Sequence, residues 1–260
     1  TKLLLFPFYY YGSSGIITCI SFFSAFKIEL LCNHYCERGG GGRHNGREMC
    51  YNGEFELGSV MAVVGPSKSG KSTFINKLLQ SDIIFPQPEH YFYFYGQIIP
   101  KDKLNHVIYK QGLPNVDSIP SQSVVVLDDL MHEVGKNDSM LNLFTRVAHH
   151  RQCFIIYVTQ NLFHQSKNCR SMNLNVHYLV LFKNVRDRTI IHKLAMQMYP
   201  KNIKFLVDAF EEATSEPYTY LFMDLQANTP SIIRIRSDLF NEMGQKVFIN
   251  KMEMKPDENE

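Results

Sequence analysis

The chain has almost no excess charge. Its 260 residues carry 27 Lys and Arg against 25 Asp and Glu, a net +2. A protein that coats DNA is more basic than this, so that class is set aside; one that grips DNA through a few loops of an oligomeric ring is not. Cysteine is sparse, six in all. Cys153 and Cys169 read as reduced thiols, which points to an intracellular compartment. Cys32, His34, Cys36, His44 and Cys50 lie close together, yet C-x3-C followed by a lone Cys matches no standard zinc finger. Between Leu3 and Phe26 there is no charged residue at all, and Phe and Tyr crowd the segment. It is long enough to cross a bilayer, but Pro7, Gly12, Gly15 and five Ser or Thr interrupt it. A transmembrane or signal segment, another buried or disordered arm, and translated sequence outside the working protein all fit, so membrane contact is left open. Gly39 to Gly42 reads as a flexible linker. The expected organisation is an N-terminal segment over 1–51, one α/β domain over 52–250 and a charged, solvated tail over 251–260.

What is present is more specific. Gly65-Pro66-Ser67-Lys68-Ser69-Gly70-Lys71-Ser72 fits G-x-x-x-x-G-K-[ST], the phosphate-binding P-loop or Walker A motif. Val60 to Val64 before it reads as a buried strand. Thr73 to Leu79 after it reads as a helix with Phe74, Ile75 and Leu78 inward. Strand, loop and helix are the context the motif needs. Its glycines turn backbone N–H groups toward the phosphates of ATP at a helix N-terminus. Lys71 reaches the β- and γ-phosphates, and the Ser72 hydroxyl ligates Mg²⁺. Residues 65–73 are thus the expected nucleotide-binding set.

Ser123 to Leu130 supplies the second motif. Val124, Val125, Val126 and Leu127 make a buried strand that delivers Asp128 and Asp129 at its C-terminal end, where open α/β sheets bind ligands. Asp128 is expected to hold Mg²⁺ through water, as a Walker B acid. Asp129 stands where many ATPases carry a Glu that activates water; its alternative is to cap the following helix. Glu133 is the reserve base. Leu141 to Arg151 reads as an amphipathic helix ending in His149 and His150, a pair suited to a helix C-terminus rather than to a metal. Phe154 to Thr159 is a further buried strand. It ends in Gln160, a candidate sensor of the γ-phosphate or attacking water, or else a turn residue. Other expected elements are strands over His90–Tyr95 and Val176–Phe182, helices over Arg188–Met198 and Ile203–Glu212, and a strand pair over Tyr218–Leu225 and Ile232–Ile235.

Missing motifs narrow the class. There is no N-K-x-D guanine-reading motif and no L-S-G-G-Q-like transporter signature. The fold expected is a mostly parallel central sheet flanked by helices, RecA/ASCE-like, with an extra strand between the Walker A and Walker B strands. Several segments together resemble viral genome-packaging ATPases of the FtsK–HerA superfamily, of the poxvirus and Polinton/Maverick/adintovirus type. They are Gly65 to Ser72, Leu127-Asp128-Asp129-Leu130-Met131, Leu143-Phe144-Thr145-Arg146 with His149-His150, and Tyr157 to Phe163. The similarity continues through Ser171 to Asn175, Tyr178 to Asn184, Gln197 to Pro200 and Pro217-Tyr218. The resemblance implies a homo-oligomeric ring that hydrolyses ATP to drive double-stranded DNA into a capsid, with capsid or portal-vertex proteins as partners. It implies work at a nuclear or cytoplasmic assembly site, or on the virion.

It also implies an arginine finger from a neighbouring subunit. Arg146 is the first candidate, Arg151 the second and Arg170 the third. Lys68 departs from the family pattern, which has a small residue there; it either adds a cation over the phosphates or points to solvent. Lys101 to Gly112 is read as a charged loop that either meets DNA or is simply solvated. Two other functions fit the same motifs: a helicase or repair ATPase, and a nucleotide-dependent assembly switch without translocation.

Overall fold

Runs such as Val60–Val64 and Ser123–Asp128 carry no polar face. A strand of this kind is stable only when both faces are covered, each buried aliphatic side chain contributing about 1.5–3 kcal/mol. The fold does this. A computed structural model describes residues 9–11, 16–21, 55–135, 137–162, 167–241 and 244–253. Its strands are β1 (Tyr9–Tyr11), β2 (Ile16–Ser21), β3 (Phe55–Glu56), β4 (Val60–Val64), β5 (Ile84–Phe85), β6 (His90–Tyr95) and β7 (Val107–Gln111). They continue with β8 (Ser123–Asp128), β9 (Phe154–Thr159), β10 (Tyr178–Phe182), β11 (Tyr220–Asp224), β12 (Ile235–Ser237) and β13 (Gln245–Asn250). The helices are α1 (Lys71–Gln80), α2 (Met131–Val134), α3 (Asp138–Asn142), α4 (Ala148–His150), α5 (Lys167–Asn173), α6 (Thr189–Met198) and α7 (Ile203–Ala213).

The main sheet has 11 strands in the order β1-β2-β13-β12-β11-β10-β4-β9-β8-β6-β7. From β10 to β7 all neighbours are parallel; from β10 through β11, β12, β13 and β2 to β1 they are antiparallel. The mostly parallel α/β sheet expected from the sequence is therefore present. Alternation within β4 divides the core: Val60, Ala62 and Val64 face one side with Leu194 of α6 and Leu206 of α7. Met61 and Val63 face the other, with Phe74, Ile75 and Leu78 of α1. Strand β9 lies between β4 and β8, with Val64 opposite Thr159 and Asp128 opposite Val158.

Several local expectations change. Lys101 to Gly112 is not all loop: Val107 is buried and Ile108 exposed, a period-2 pattern that makes β7 an edge strand on β6. Lys110 lies 5.7 Å from the Phe92 ring centroid and Lys103 5.5 Å from that of Tyr109. Ile232–Ile235 is only partly strand, because Pro230 opens a 3-10 turn over Ser231–Ile233 before β12 begins at Ile235. Strand β13 lies where no element was expected, and β2 pairs with it along its whole length. The helix expected over Leu141–Arg151 is interrupted by a π-helical segment, Leu143–Val147. Among the described residues no helix is long and apolar enough to cross a membrane, and no group of three or more His, Cys, Asp and Glu could hold a metal ion. The cluster from Cys32 to Cys50 lies outside the described residues.

Candidate active site

The loop between β4 and α1 is fixed by its glycines. Gly65 donates its N–H to the Thr159 carbonyl at 3.1 Å, and a Cβ there would sit 2.6 Å from Phe182 Cβ and 2.9 Å from Ser69 Oγ. Gly70 starts α1 with φ 107° and packs under Tyr218, whose Cβ would lie 3.3 Å from an added side chain. Only glycine accepts that backbone without strain. Lys68 also has positive φ, 62°, and is exposed. An L-residue there costs about 1–2 kcal/mol, a cost that only glycine escapes. Its side chain goes to solvent.

Within this loop Lys71 Nζ donates to the carbonyls of Gly65 at 2.9 Å and Pro66 at 2.6 Å. Its burial lowers the ammonium pKa, while the charges of Asp128 and Asp129 raise it. The lysine thus feels both carboxylates across the intervening β9. Ser69 Oγ is buried and has no hydrogen-bond partner among the described residues. Ser67, Ser72 and Thr73 are exposed. Exposed hydroxyls, an unpartnered buried one and the N-terminus of a ten-residue helix form a set suited to phosphate oxygens.

Asp128 ends β8, where Oδ2 accepts a 2.7 Å hydrogen bond from the Tyr93 phenol. Burial pushes its carboxyl pKa up; the Tyr93 bond and Lys71 pull it down, and Asp129 pushes it up again. Tyr93 was not anticipated as a site residue. The only hint was its place in the aromatic strand His90–Tyr95. Asp129 is exposed, with φ 57°. It does not cap α2: the N-cap is Leu130, without a side-chain cap bond. Asp adopts this left-handed backbone more readily than most L-residues do. Gln160 follows Thr159, the residue whose carbonyl holds Gly65, and is exposed. Loop, both carboxylates and Gln160 therefore meet at one C-terminal edge of the sheet. Glu133 is exposed on α2.

The arginines lie elsewhere. Arg151 directs its guanidinium at the carbonyls of Val116, Asp117 and Ile119, at 2.9, 3.3 and 2.9 Å. It holds its own chain's 3-10 turn and is corrected from finger candidate to structural residue. Arg146 is exposed in the π-helical segment and shares a cavity of about 570 Å³ with Arg151, Asp117 and Ser139. Arg151 precedes β9, and its carbonyl accepts from Gln122, just before β8. That cavity belongs to the edge opposite Asp128, so Arg146 is not brought to its own chain's loop. Arg170 is exposed on α5. His149 and His150 end α4, with ring centroids 5.7 Å apart.

No protein-family model matches the chain, and no curated protein matches it significantly. Among solved structures it is similar to the DNA-packaging ATPase B204 from Sulfolobus Turreted Icosahedral Virus. That match has 10% identity and a TM-score of 0.46, covering 69% of this chain and 96% of that one. It is also similar to the genome-packaging NTPase B204 from Sulfolobus turreted icosahedral virus 2. The complex with ATP-gammaS gives 10% identity and a TM-score of 0.44, covering 70% and 97% of the two chains. The complex with AMPPCP gives 12% identity and a TM-score of 0.43, with the same coverage.

Proposed function

We propose that the protein is a P-loop ATPase whose hydrolysis of ATP drives double-stranded DNA into a capsid. The observation that carries the chemistry is Lys71. Its ammonium rests on the Gly65 and Pro66 carbonyls while sensing Asp128 and Asp129. Phosphate oxygens of ATP take the place of those two carbonyls, and the loop N–H groups with Ser69 complete the cradle. Ser72 and, through water, Asp128 would hold Mg²⁺; with Oδ2 accepting from Tyr93, Oδ1 is the oxygen Asp128 has left for that role. Bound there, Mg²⁺ neutralises charge on the β- and γ-phosphates.

Asp129 takes a proton from water as its oxygen attacks the γ-phosphorus. The bond from phosphorus to the β-phosphate bridging oxygen breaks, leaving ADP and inorganic phosphate. Gln160, next to the residue that holds Gly65, orients that water or reads the γ-phosphate. Arg146, on the opposite edge, serves a neighbour's nucleotide in a ring and supplies positive charge as the phosphoryl group departs, a contribution of about 10³–10⁵ in rate. The packaging output rests on the motif resemblance spread across residues 53–240, which also implies capsid or portal-vertex partners and a nuclear or cytoplasmic assembly site.

Steady-state ATP hydrolysis by the full chain, with and without long double-stranded DNA, tests this. DNA-stimulated turnover that disappears in Lys71→Ala is the expected outcome. Turnover indifferent to DNA removes the motor, and turnover that survives Lys71→Ala removes the mechanism.

A further inference from the structure

Beside the loop lies a second cavity, of about 340 Å³, that the phosphate chemistry does not use. One wall is Gly70, Thr73 and Lys77, from the start of α1 and one turn on; the other is Tyr218, Asp238 and Phe240. Its floor is aromatic. The Phe74 ring lies 4.9 Å from that of Tyr220 and 5.3 Å from that of Phe240. Tyr218 stands over this floor with 72% of its surface exposed and φ 66°. An exposed aromatic held in left-handed backbone gains little for the fold. Such strain persists where the surroundings impose it, and it clusters at ligand sites. Here the imposing contact is Gly70 itself, against which the Tyr218 backbone closes.

We propose that this cavity seats the nucleoside of the bound nucleotide, with the base stacked on Tyr218. The inference rests on the ATP reading above and extends it to residues outside the phosphate motif. A nucleotide anchored by its phosphates at the N-terminus of α1 places its sugar and base within one nucleotide's length of Gly70, and this cavity, which Gly70 lines, lies in that range. Its volume is that of a small-molecule cleft. It is no purely cationic seat for further phosphate, because Asp238 lines it opposite Lys77. That carboxylate and the Thr219 hydroxyl suit ribose hydroxyls or an exocyclic amine instead. An aromatic platform with a polar rim stacks a base at a gain that alanine substitution makes measurable.

The test is calorimetric titration of the full chain with two probes, the non-hydrolysable ATP analogue AMPPCP and inorganic tripolyphosphate. Tyr218→Ala weakens AMPPCP about tenfold and leaves tripolyphosphate unchanged, while Tyr218→Phe binds both as the wild type does. AMPPCP binding within twofold of wild type in Tyr218→Ala overturns the proposal. So does an equal loss for both probes, which would mean that Tyr218 acts on the loop. If the wild type binds neither probe, the nucleotide reading falls and takes this one with it.

Discussion

The Tyr93 phenol donates to Asp128 Oδ2 at 2.7 Å across the parallel β6–β8 pair. Tyr93 is 1% exposed, and its ring stacks on Tyr109 at 5.3 Å. Burial, the Asp128 charge and this bond push its own pKa far above the ordinary tyrosine value, so it stays a donor at any working pH. It fixes one carboxylate oxygen and leaves the other for a ligand. Hydrogen bonds to charged groups contribute about 1.5–3 kcal/mol. Tyr93→Phe keeps the stacked ring and removes only the donor. We expect kcat for ATP hydrolysis to fall about tenfold or more and half-maximal activity to need more Mg²⁺. AMPPCP binding without metal should be unaffected. An unchanged Mg²⁺ requirement would reduce the bond to a packing detail.

Gly96 ends β6 beneath the second carboxylate. Its N–H donates to the Asp128 carbonyl at 3.0 Å, and an added Cβ would stand 2.7 Å from the Asp129 carbonyl oxygen. That neighbour is backbone, so it cannot swing aside. Gly96→Ala must shift Asp129, and a displacement near 1 Å at a reacting group costs about 10²-fold in rate. Nucleotide affinity, set by the loop on the far side of β9, should change less than twofold. Equal losses in kcat and in AMPPCP affinity would show that the whole edge had moved.

The candidate site was legible where backbone and motif coincide. Residues 60–73 and 123–129 announce strand, loop and carboxylates within a few positions of one another, and Gln160 follows from the next apolar run. Tyr93 was not legible, because a tyrosine in an aromatic strand has many possible partners and only the register of β6 on β8 selects Asp128. Arg151 misled for a related reason. A guanidinium near a motif looks free until the carbonyls of Val116 and Ile119, about thirty residues earlier in the chain, close on it. The antiparallel annex was the least legible part. Strand β12 has three residues, too few for a periodic signal, and β13 is recognisable mainly through its pairing with β2 and β12.

That annex contains a buried ion pair. Arg236 Nη2 lies 3.7 Å from Asp224 Oδ2, with side-chain exposures of 3% and 2%. The guanidinium also donates to Gln245 Oε1 at 3.1 Å and sits 4.7 Å from the Phe222 ring centroid. It therefore joins β11, β12 and β13. Removing one partner of a buried pair leaves an uncompensated charge and costs about 3–5 kcal/mol, whereas replacing both with apolar groups costs little. Arg236→Ala should lower stability in urea by that amount, and Arg236→Met combined with Asp224→Leu should recover most of it. A loss below about 1 kcal/mol in Arg236→Ala would mean that water reaches the pair.

The start of β4 carries a pH-sensitive contact. His177 Nδ1 accepts the Val60 N–H at 3.1 Å, and the backbone N–H of His177 donates to the Val60 carbonyl at 2.9 Å. Accepting at Nδ1 requires a neutral ring. Burial lowers the His177 pKa, Asp224 and Glu56 pull it back up, and His149 lowers it; the net shift is downward. The unfolded chain, near the ordinary value of about 6.5, therefore binds the proton before the folded one does. Stability is full above that value and is lost as pH falls through it, until the folded ring protonates as well. His177→Gln supplies an uncharged acceptor and removes this titration. Thermal melts between pH 5 and 8 should show a wild-type Tm that drops below pH 6.5 and a shallower slope in the variant. Two parallel curves would assign the acid sensitivity to other groups and leave the Val60 contact without a role in it.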